Sequence, residues 1–144
     1  MSQADVDLIR SLIPPPETDV AALLRSDQLW DQLVHGLARF VDPEIESVAV
    51  WQGGRTHAGL EGFRRMWLDW LEPWAVYHSR VEQLIDAEDC VVAIAHDRGE
   101  RADVEGEVDI LAGSTWEVRD DKVVRVVFYG NREDALTAAG IEQR

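Results

Sequence analysis

The sequence is poor in the features that mark several large classes of protein. It has a single cysteine, Cys90, which excludes an internal disulfide and a paired-cysteine redox motif. No apolar run approaches the roughly 20 residues that a membrane-spanning helix needs. The first ten residues contain neither a basic segment nor an apolar one, so we expect no signal peptide. These absences predict a cytoplasmic protein with no membrane partner.

Basic residues are scarce relative to acidic ones. Lysine and arginine together number 14, aspartate and glutamate number 28, and the formal net charge at pH 7 is −14. The arginines are scattered along the chain rather than clustered. Such a surface repels a phosphate backbone, and we therefore expect no nucleic-acid partner.

The sequence also lacks the usual patterns of metal and cofactor sites. The four histidines and Cys90 show no short paired spacing of the kind that zinc sites use. The Gly53-Gly54 pair is not followed by the lysine and the serine or threonine of a phosphate-binding loop. No nucleophile elbow is present. We predict no metal site and no cofactor.

The most informative stretch is an aromatic helical pattern at residues 60–74. Its large apolar side chains recur at steps of three and four residues: Leu60, Phe63, Trp67, Trp70 and Trp74. This spacing places them on one stripe of an α-helix. The stripe predicts a helix that packs on the core, and a second interpretation is that some of its rings wall a cavity.

The remaining patterns give the order of elements. Helices are predicted at 2–13, 18–25, 27–40 and 133–139, and a strand at 44–51. After the aromatic helix, strands at 76–85, 90–98, 107–118 and 122–130 are joined by turns short enough to make them antiparallel. This order predicts an α+β fold with helices covering a curved antiparallel sheet. We divide the chain into a helical appendage with a proline linker at 1–17 and a single domain at 18–144.

The last predicted strand has apolar residues on both faces. Val124, Val126 and Phe128 share one face, and Val123 and Val127 lie on the other. A strand of this kind in a two-layer fold needs a second cover. We therefore predict a homodimer that packs through the outer face of the sheet.

Two segments of the sequence resemble the SnoaL-like, or polyketide cyclase-like, branch of the nuclear transport factor 2-like superfamily. The first is HAGLEGFR at 57–64, ahead of the tryptophan-rich helix. The second is DKVVRV at 121–126, followed by YGNREDAL at 129–136 and AGI at 139–141. The resemblance covers residues 18–141. It implies a cone of curved sheet and helices, also called cystatin-like, around an apolar pocket and commonly a dimer.

The resemblance does not imply one reaction, because the superfamily includes cyclases, isomerases, epoxide hydrolases and members without known activity. The two carboxylates of the ketosteroid isomerases are not matched, since Trp51-Gln52 and Ser114 stand in their places. Arg98 and Asp109 match only part of the Asp-Arg-Asp set of the epoxide hydrolases.

The predicted strand and helix faces place a set of candidate ligand-binding residues around the pocket. They are Trp30, Phe63, Trp67, Ser114, Trp116 and Phe128. Their bulk and low polarity predict a small apolar molecule as the ligand.

Two further residues are candidates for catalysis. His96 shares a strand face with Val92 and Ile94, which predicts that its imidazole points into the pocket, where it can transfer a proton near neutral pH. Arg98 follows on the same face and would orient an anionic or carbonyl oxygen of the ligand.

Two functions remain open on this reading. The first is an acid–base enzyme of the cyclase or isomerase type, and the second is a binding or accessory protein that uses the same pocket without turnover. Two or more buried ionisable groups with shared hydrogen bonds favour catalysis, whereas one histidine in an apolar cavity favours binding.

Overall fold

The computed structural model describes residues 2–141 of the chain. Its helices are α1 (Gln3–Leu12), α2 (Val20–Arg25), α3 (Asp27–Leu37), α4 (Gly59–Leu71) and α5 (Arg132–Ala138). Its strands are β1 (Val41–Ala49), β2 (Thr56–Ala58), β3 (Trp74–Asp86), β4 (Val91–Arg101), β5 (Glu107–Arg119) and β6 (Lys122–Tyr129). A short 3₁₀ turn, Val50–Gln52, follows β1. Within residues 2–141, no helix is both long and apolar enough to cross a bilayer.

Side-chain caps set where the N-terminal helices begin. Ser2 and Asp5 form a reciprocal capping box at the start of α1. Asp19 accepts hydrogen bonds from two backbone N–H groups of α2, and Ser26 accepts one from Leu29 at the start of α3. Because Ser26 both ends α2 and caps α3, the chain changes direction there, and this break is the one that the sequence predicts.

The six strands form one sheet in the order β2-β1-β6-β5-β4-β3. The four strands from β3 to β6 are an antiparallel meander, as predicted, and the last hairpin turns at Asp120 and Asp121 with φ values of 53° and 63°. Strand β1 differs, because it pairs with β6 in parallel. The sheet is therefore mixed, and the predicted α+β fold is confirmed.

Four helices cover the concave face of the sheet. The α1 side chains of Val6 and Ile9 pack in one core cluster with Val91 and Val123, so α1 lies on the body of its own chain. Helices α2, α3 and α4 pack around a second cluster that includes Trp30, beside the start of β3. The domain boundary after residue 17 stays a prediction.

Helix α5 covers part of the opposite, convex face. Its buried Ala135 packs with Cys90, Val92 and Ile94. The approach is close at Gly113 in β5, since a Cβ atom there would lie 2.7 Å from the Ala135 side chain. Gly113 therefore lets the helix lie directly on the strand.

Two strand faces differ from the sequence-based prediction. In β4, Asp97 lines the concave side, so its neighbours His96 and Arg98 point to the convex side. In β6, a register shift beside Val118 places both Val123 and Val126 in the same core cluster, although strict alternation would separate them.

Candidate functional site

A cavity of about 200 Å³ lies between α4 and the concave face of the sheet. The residues around it are mostly aromatic or aliphatic: Trp51, Met66, Trp67, Trp70, Tyr77, Asp97, Ile110, Ala112, Phe128, Tyr129 and Gly130. An apolar cavity of about 150 Å³ can hold a benzene molecule. This volume therefore suits a molecule, or a part of one, of about one ring.

The aromatic side chains of the cavity contact one another at steep angles. The rings of Trp67 and Phe128 have centroids 5.3 Å apart and are inclined at 81°, and those of Trp70 and Tyr77 are 6.3 Å apart at 87°. Trp51 packs on Trp70 with centroids 5.1 Å apart, and it is 42% exposed. Trp51 therefore forms part of the rim, while the other rings wall the interior.

One buried carboxylate, that of Asp97, is the polar centre of the cavity. Only 5% of the residue is exposed. The Tyr77 hydroxyl donates to its Oδ2 atom at 2.7 Å, and the Ser79 hydroxyl donates to its Oδ1 atom at 2.6 Å. Each oxygen has one protein donor, so each can still accept a hydrogen bond from a ligand.

The pairing of β3 with β4 brings these three groups together. Ser79 lies directly opposite Asp97, and Tyr77, two residues earlier on the same face, lies opposite Gly99. A Cβ atom at Gly99 would lie 2.5 Å from the ring of Trp74, so glycine makes room for that indole beside Tyr77. The Tyr77 backbone N–H donates to Asp19 at 3.1 Å, which ties this end of β3 to α2.

The pKa values of both ionisable groups are raised. Burial raises the pKa of Asp97 above its usual value, and the Ser79 and Tyr77 hydrogen bonds and the charges of His96 and Arg132 oppose this only in part. Burial and then the negative charge of Asp97 raise the pKa of Tyr77, so its phenol stays protonated. Asp97 is therefore the group in the cavity that can gain or lose a proton, and Tyr77 is a fixed donor to it.

The six candidate ligand-binding residues predicted from the sequence fall into two groups in the structure, those that line the cavity and those in the core behind it. Trp67 and Phe128 line the cavity. Trp30 is buried among α2, α3 and α4, with its indole N–H donating to Glu61, and Phe63 packs against both large core clusters. Ser114 accepts a hydrogen bond from the Trp116 indole at 2.8 Å. Those four residues support the cavity walls, and a direct role in ligand binding stays a prediction.

The expected inward orientation of His96 and Arg98 does not hold. His96 Nε2 lies 2.9 Å from a carboxylate oxygen of Asp109, whose strand neighbour Ile110 lines the cavity. Arg98 lies 3.5 Å from Glu107 and is about half exposed. Both residues therefore lie on the convex face, because adjacent residues of a strand point to opposite sides and Asp97 takes the inward position between them.

Sequence reasoning missed Asp97 and did not give Tyr77 its role. The run from Val91 to Ala95 is apolar at every position, so it carries no alternation that assigns the two faces of β4. One signal was available: a strand that is apolar on both sides and ends in His-Asp-Arg places either Asp97 or the flanking pair inward. Only the partner strand, with Tyr77 and Ser79 facing Asp97, decides between these choices.

The described residues offer no metal site. Within residues 2–141, no group of three or more histidine, cysteine, aspartate or glutamate side chains is arranged to hold a metal ion. Asp97 is the single carboxylate among the cavity residues. The arrangement is thus suited to hydrogen bonding and proton transfer rather than to metal ligation.

A curved sheet with helices and a cavity on its concave face defines an α+β cone of the nuclear transport factor 2-like type. Residues 22–126, most of the chain, match the model of the SnoaL-like domain. The chain therefore belongs to the SnoaL-like family. A comparison with curated proteins gives no significant match.

Solved structures of the same fold are distant in sequence. One is TerC co-crystallised with polyporic acid, at a TM-score of 0.64 and 16% identity, covering 95% of this chain and 98% of that one. A SnoaL-like polyketide cyclase from Jannaschia sp. has a TM-score of 0.63 and 15% identity, covering 99% and 98%. A ketosteroid isomerase-like protein from Catenulispora acidiphila, in complex with trimethylamine, has a TM-score of 0.57 and 16% identity, covering 90% and 95%. At this identity the likeness concerns the fold.

Proposed function

We propose that the protein binds a small, mostly apolar molecule in the cavity and transfers a proton to or from it through Asp97. The observation that carries this proposal is the buried Tyr77–Asp97–Ser79 set, in which Asp97 lines a cavity otherwise walled by rings and aliphatic groups. Two ionisable groups that share a hydrogen bond inside a pocket favour catalysis over simple binding.

The proposed role of each group follows from its environment. Asp97 acts as general base or acid, because burial raises its pKa above the usual value and makes its carboxylate a stronger base than an exposed one. Tyr77 keeps the carboxylate oriented through a 2.7 Å bond, and it is a positioning residue. Trp67, Trp70 and Phe128 hold the apolar part of the ligand. This assignment replaces His96 and Arg98, which lie on the opposite face of the sheet.

The test uses proton exchange, which needs no knowledge of the natural substrate. Small monocyclic ketones, with and without an amino substituent, would be incubated with the protein in D₂O, and loss of the α-proton signal followed by NMR. We expect the protein to accelerate exchange of at least one ketone that it binds. Asp97→Asn should lose at least about a hundredfold of that acceleration, the usual contribution of a general base.

Two further variants sharpen this test. Asp31→Asn changes an exposed carboxylate on helix α3 and should leave exchange unchanged. Tyr77→Phe removes one donor to Asp97 and should shift the pH profile of exchange upward, because the carboxylate charge loses a stabilising hydrogen bond. Exchange that persists in Asp97→Asn would contradict the proposal.

A non-catalytic binding protein is the second candidate function. It is favoured by the small number of polar groups around the cavity, where Asp97 is the one carboxylate and no second acid faces it across the ligand space. Ketones that bind the wild-type protein, quench its tryptophan fluorescence and show no exchange would support this alternative.

We also propose that the protein forms a homodimer through the convex face of the sheet and works in the cytoplasm. The dimer proposal is supported by Leu111, which is 54% exposed on that face next to the His96–Asp109 pair. The cytoplasmic location stays a prediction from the sequence.

A further inference from the structure

The charge inside the cavity is unbalanced. Among the residues that the structure describes, those lining the cavity include no lysine, arginine or histidine, and Asp97 makes no ion pair within them. Arg132 and His96 lie on the far side of the sheet, where Arg132 donates to the Ala95 carbonyl at 3.0 Å. A buried carboxylate in a protein is usually paired with a cation. Here the protein supplies two neutral hydroxyl donors instead.

The walls of the cavity are suited to a cation of a particular kind. Five aromatic rings on the concave side line it, and three of them are tryptophans, the ring that binds cations best. Trp67–Phe128 and Trp70–Tyr77 are nearly perpendicular pairs, in which the edge of one ring packs on the face of the other. The rings therefore cannot all cover one another's faces. Ring faces attract alkylated ammonium groups, which are weakly hydrated and are easily taken from water.

The negative charge of the whole chain acts in the same direction. A net charge of −14 attracts cations and repels carboxylates and phosphates at long range. Asp97 repels an anion again at short range. An anionic ligand would have to overcome both effects without a single basic group among the described residues of the cavity.

We propose that the ligand carries a positively charged, alkylated nitrogen, as a small tertiary or quaternary amine does, placed beside Asp97 and among the rings of Trp51, Trp67 and Trp70. This inference rests on the proposed function, whose pocket it uses, and it names the class of the substrate. The ligand then supplies the charge that the protein leaves out, and its apolar substituents fill a space of about one ring.

The test compares two probes that differ in charge and hardly in shape, phenyltrimethylammonium and tert-butylbenzene. Binding would be measured by quenching of tryptophan fluorescence and by calorimetry, at about 0.15 M salt so that the overall charge of the protein is largely screened. We expect the cation to bind at least about tenfold more tightly than the neutral isostere. Asp97→Asn should weaken the cation by about tenfold or more and change tert-butylbenzene by less than about threefold.

Two variants serve as controls for this test. Asp31→Asn removes the same charge from an exposed position on helix α3 and should change neither affinity, which separates a site effect from the overall charge. Trp51→Leu alters a partly exposed rim residue, so it should fold normally and weaken the cation more than the neutral probe.

The outcomes distinguish this inference from the proposed function. If tert-butylbenzene binds as tightly as the cation, the cationic ligand is wrong and the small-molecule pocket stands. If neither probe binds while a ketone still shows Asp97-dependent exchange, the cationic ligand is wrong and the proposed function stands. If neither probe binds and no ketone exchanges, both fail.

Discussion

Asp97 is the proposed proton-transfer group, and the burial of its charge also affects the stability of the fold. Its carboxylate is buried and its pKa is raised, mainly by desolvation. The folded protein therefore holds the proton on Asp97 more tightly than the unfolded chain does. The favourable contribution is complete below the usual pKa of 3.8 and is lost as pH rises through the raised folded value. At neutral pH the buried charge destabilises the fold.

The destabilising effect of the Asp97 charge at neutral pH gives the first prediction about stability. Asp97→Asn should raise the free energy of unfolding at pH 7 by at least about 1 kcal/mol, because it removes a buried charge and keeps the shape of the side chain. The gain should shrink as the pH falls towards 4. Thermal unfolding at several pH values measures it, with Asp31→Asn on helix α3 as the exposed control. An asparagine variant that is no more stable than wild type at pH 7, or whose gain does not shrink at acid pH, would contradict the assignment.

At the residue scale, the directions of single side chains were the hardest feature to predict from the sequence. Trp67 and Phe128 lie at the cavity, Trp67 on the side of α4 that helical spacing indicates, and their role in ligand binding stays a prediction. The direction of His96 was wrong, because one uniformly apolar run preceded it. The partners of Asp97 lie 18 and 20 residues earlier on another strand, and no local pattern records that register.

At the scale of elements, sequence patterns predicted the order of nearly all the helices and strands. Each predicted helix and strand exists, with ends shifted by a few residues, because periodicity, Ser26 as a cap and the Asp120-Asp121 turn are local signals. The parallel pairing of β1 with β6 was not predicted. It depends on contacts between distant parts of the chain, which hydrophobic periodicity does not encode.

The contact between α5 and β5 gives an element-scale prediction. Gly113→Ala should destabilise the protein by about 1–3 kcal/mol, because its methyl group would lie 2.7 Å from the Ala135 side chain and 3.1 Å from the Cα of Arg132. Gly130→Ala is the matched control, since nothing lies within 4 Å of a Cβ atom there. Urea denaturation measures both. Equal stability of the two variants would mean that α5 does not pack closely on the strand.

At the scale of the whole molecule, the proposed homodimer can be tested by a substitution on the convex face of the sheet. Leu111→Glu should convert the dimer to a monomer, because it places a charge where an apolar contact is proposed. Val104→Glu changes an equally exposed apolar residue in the turn after β4 and should leave the assembly intact. Size-exclusion chromatography with light scattering measures the mass of each. A wild-type protein that is monomeric at every concentration would refute the dimer.

The charge of the molecule adds a salt dependence to that experiment. Two chains that each carry −14 repel one another, and added salt screens the repulsion. The dimer should therefore become tighter as ionic strength rises.

The parallel pairing of β1 with β6 also bears on how the chain folds. Glu46 and Arg125 face each other across this pair, and they are 79 positions apart in the sequence. Of the paired strands in the sheet, β1 and β6 are the farthest apart in the sequence. Closing the long loop between them has a large entropic cost, so we expect this pairing to form late. Phe128 reaches its place on the cavity wall only when β6 docks. The ligand site is thus among the last parts of the molecule to be completed during folding, and a chain interrupted before β6 would have the sequences of α1 to α4 and of the β3–β4 and β4–β5 hairpins without a complete pocket.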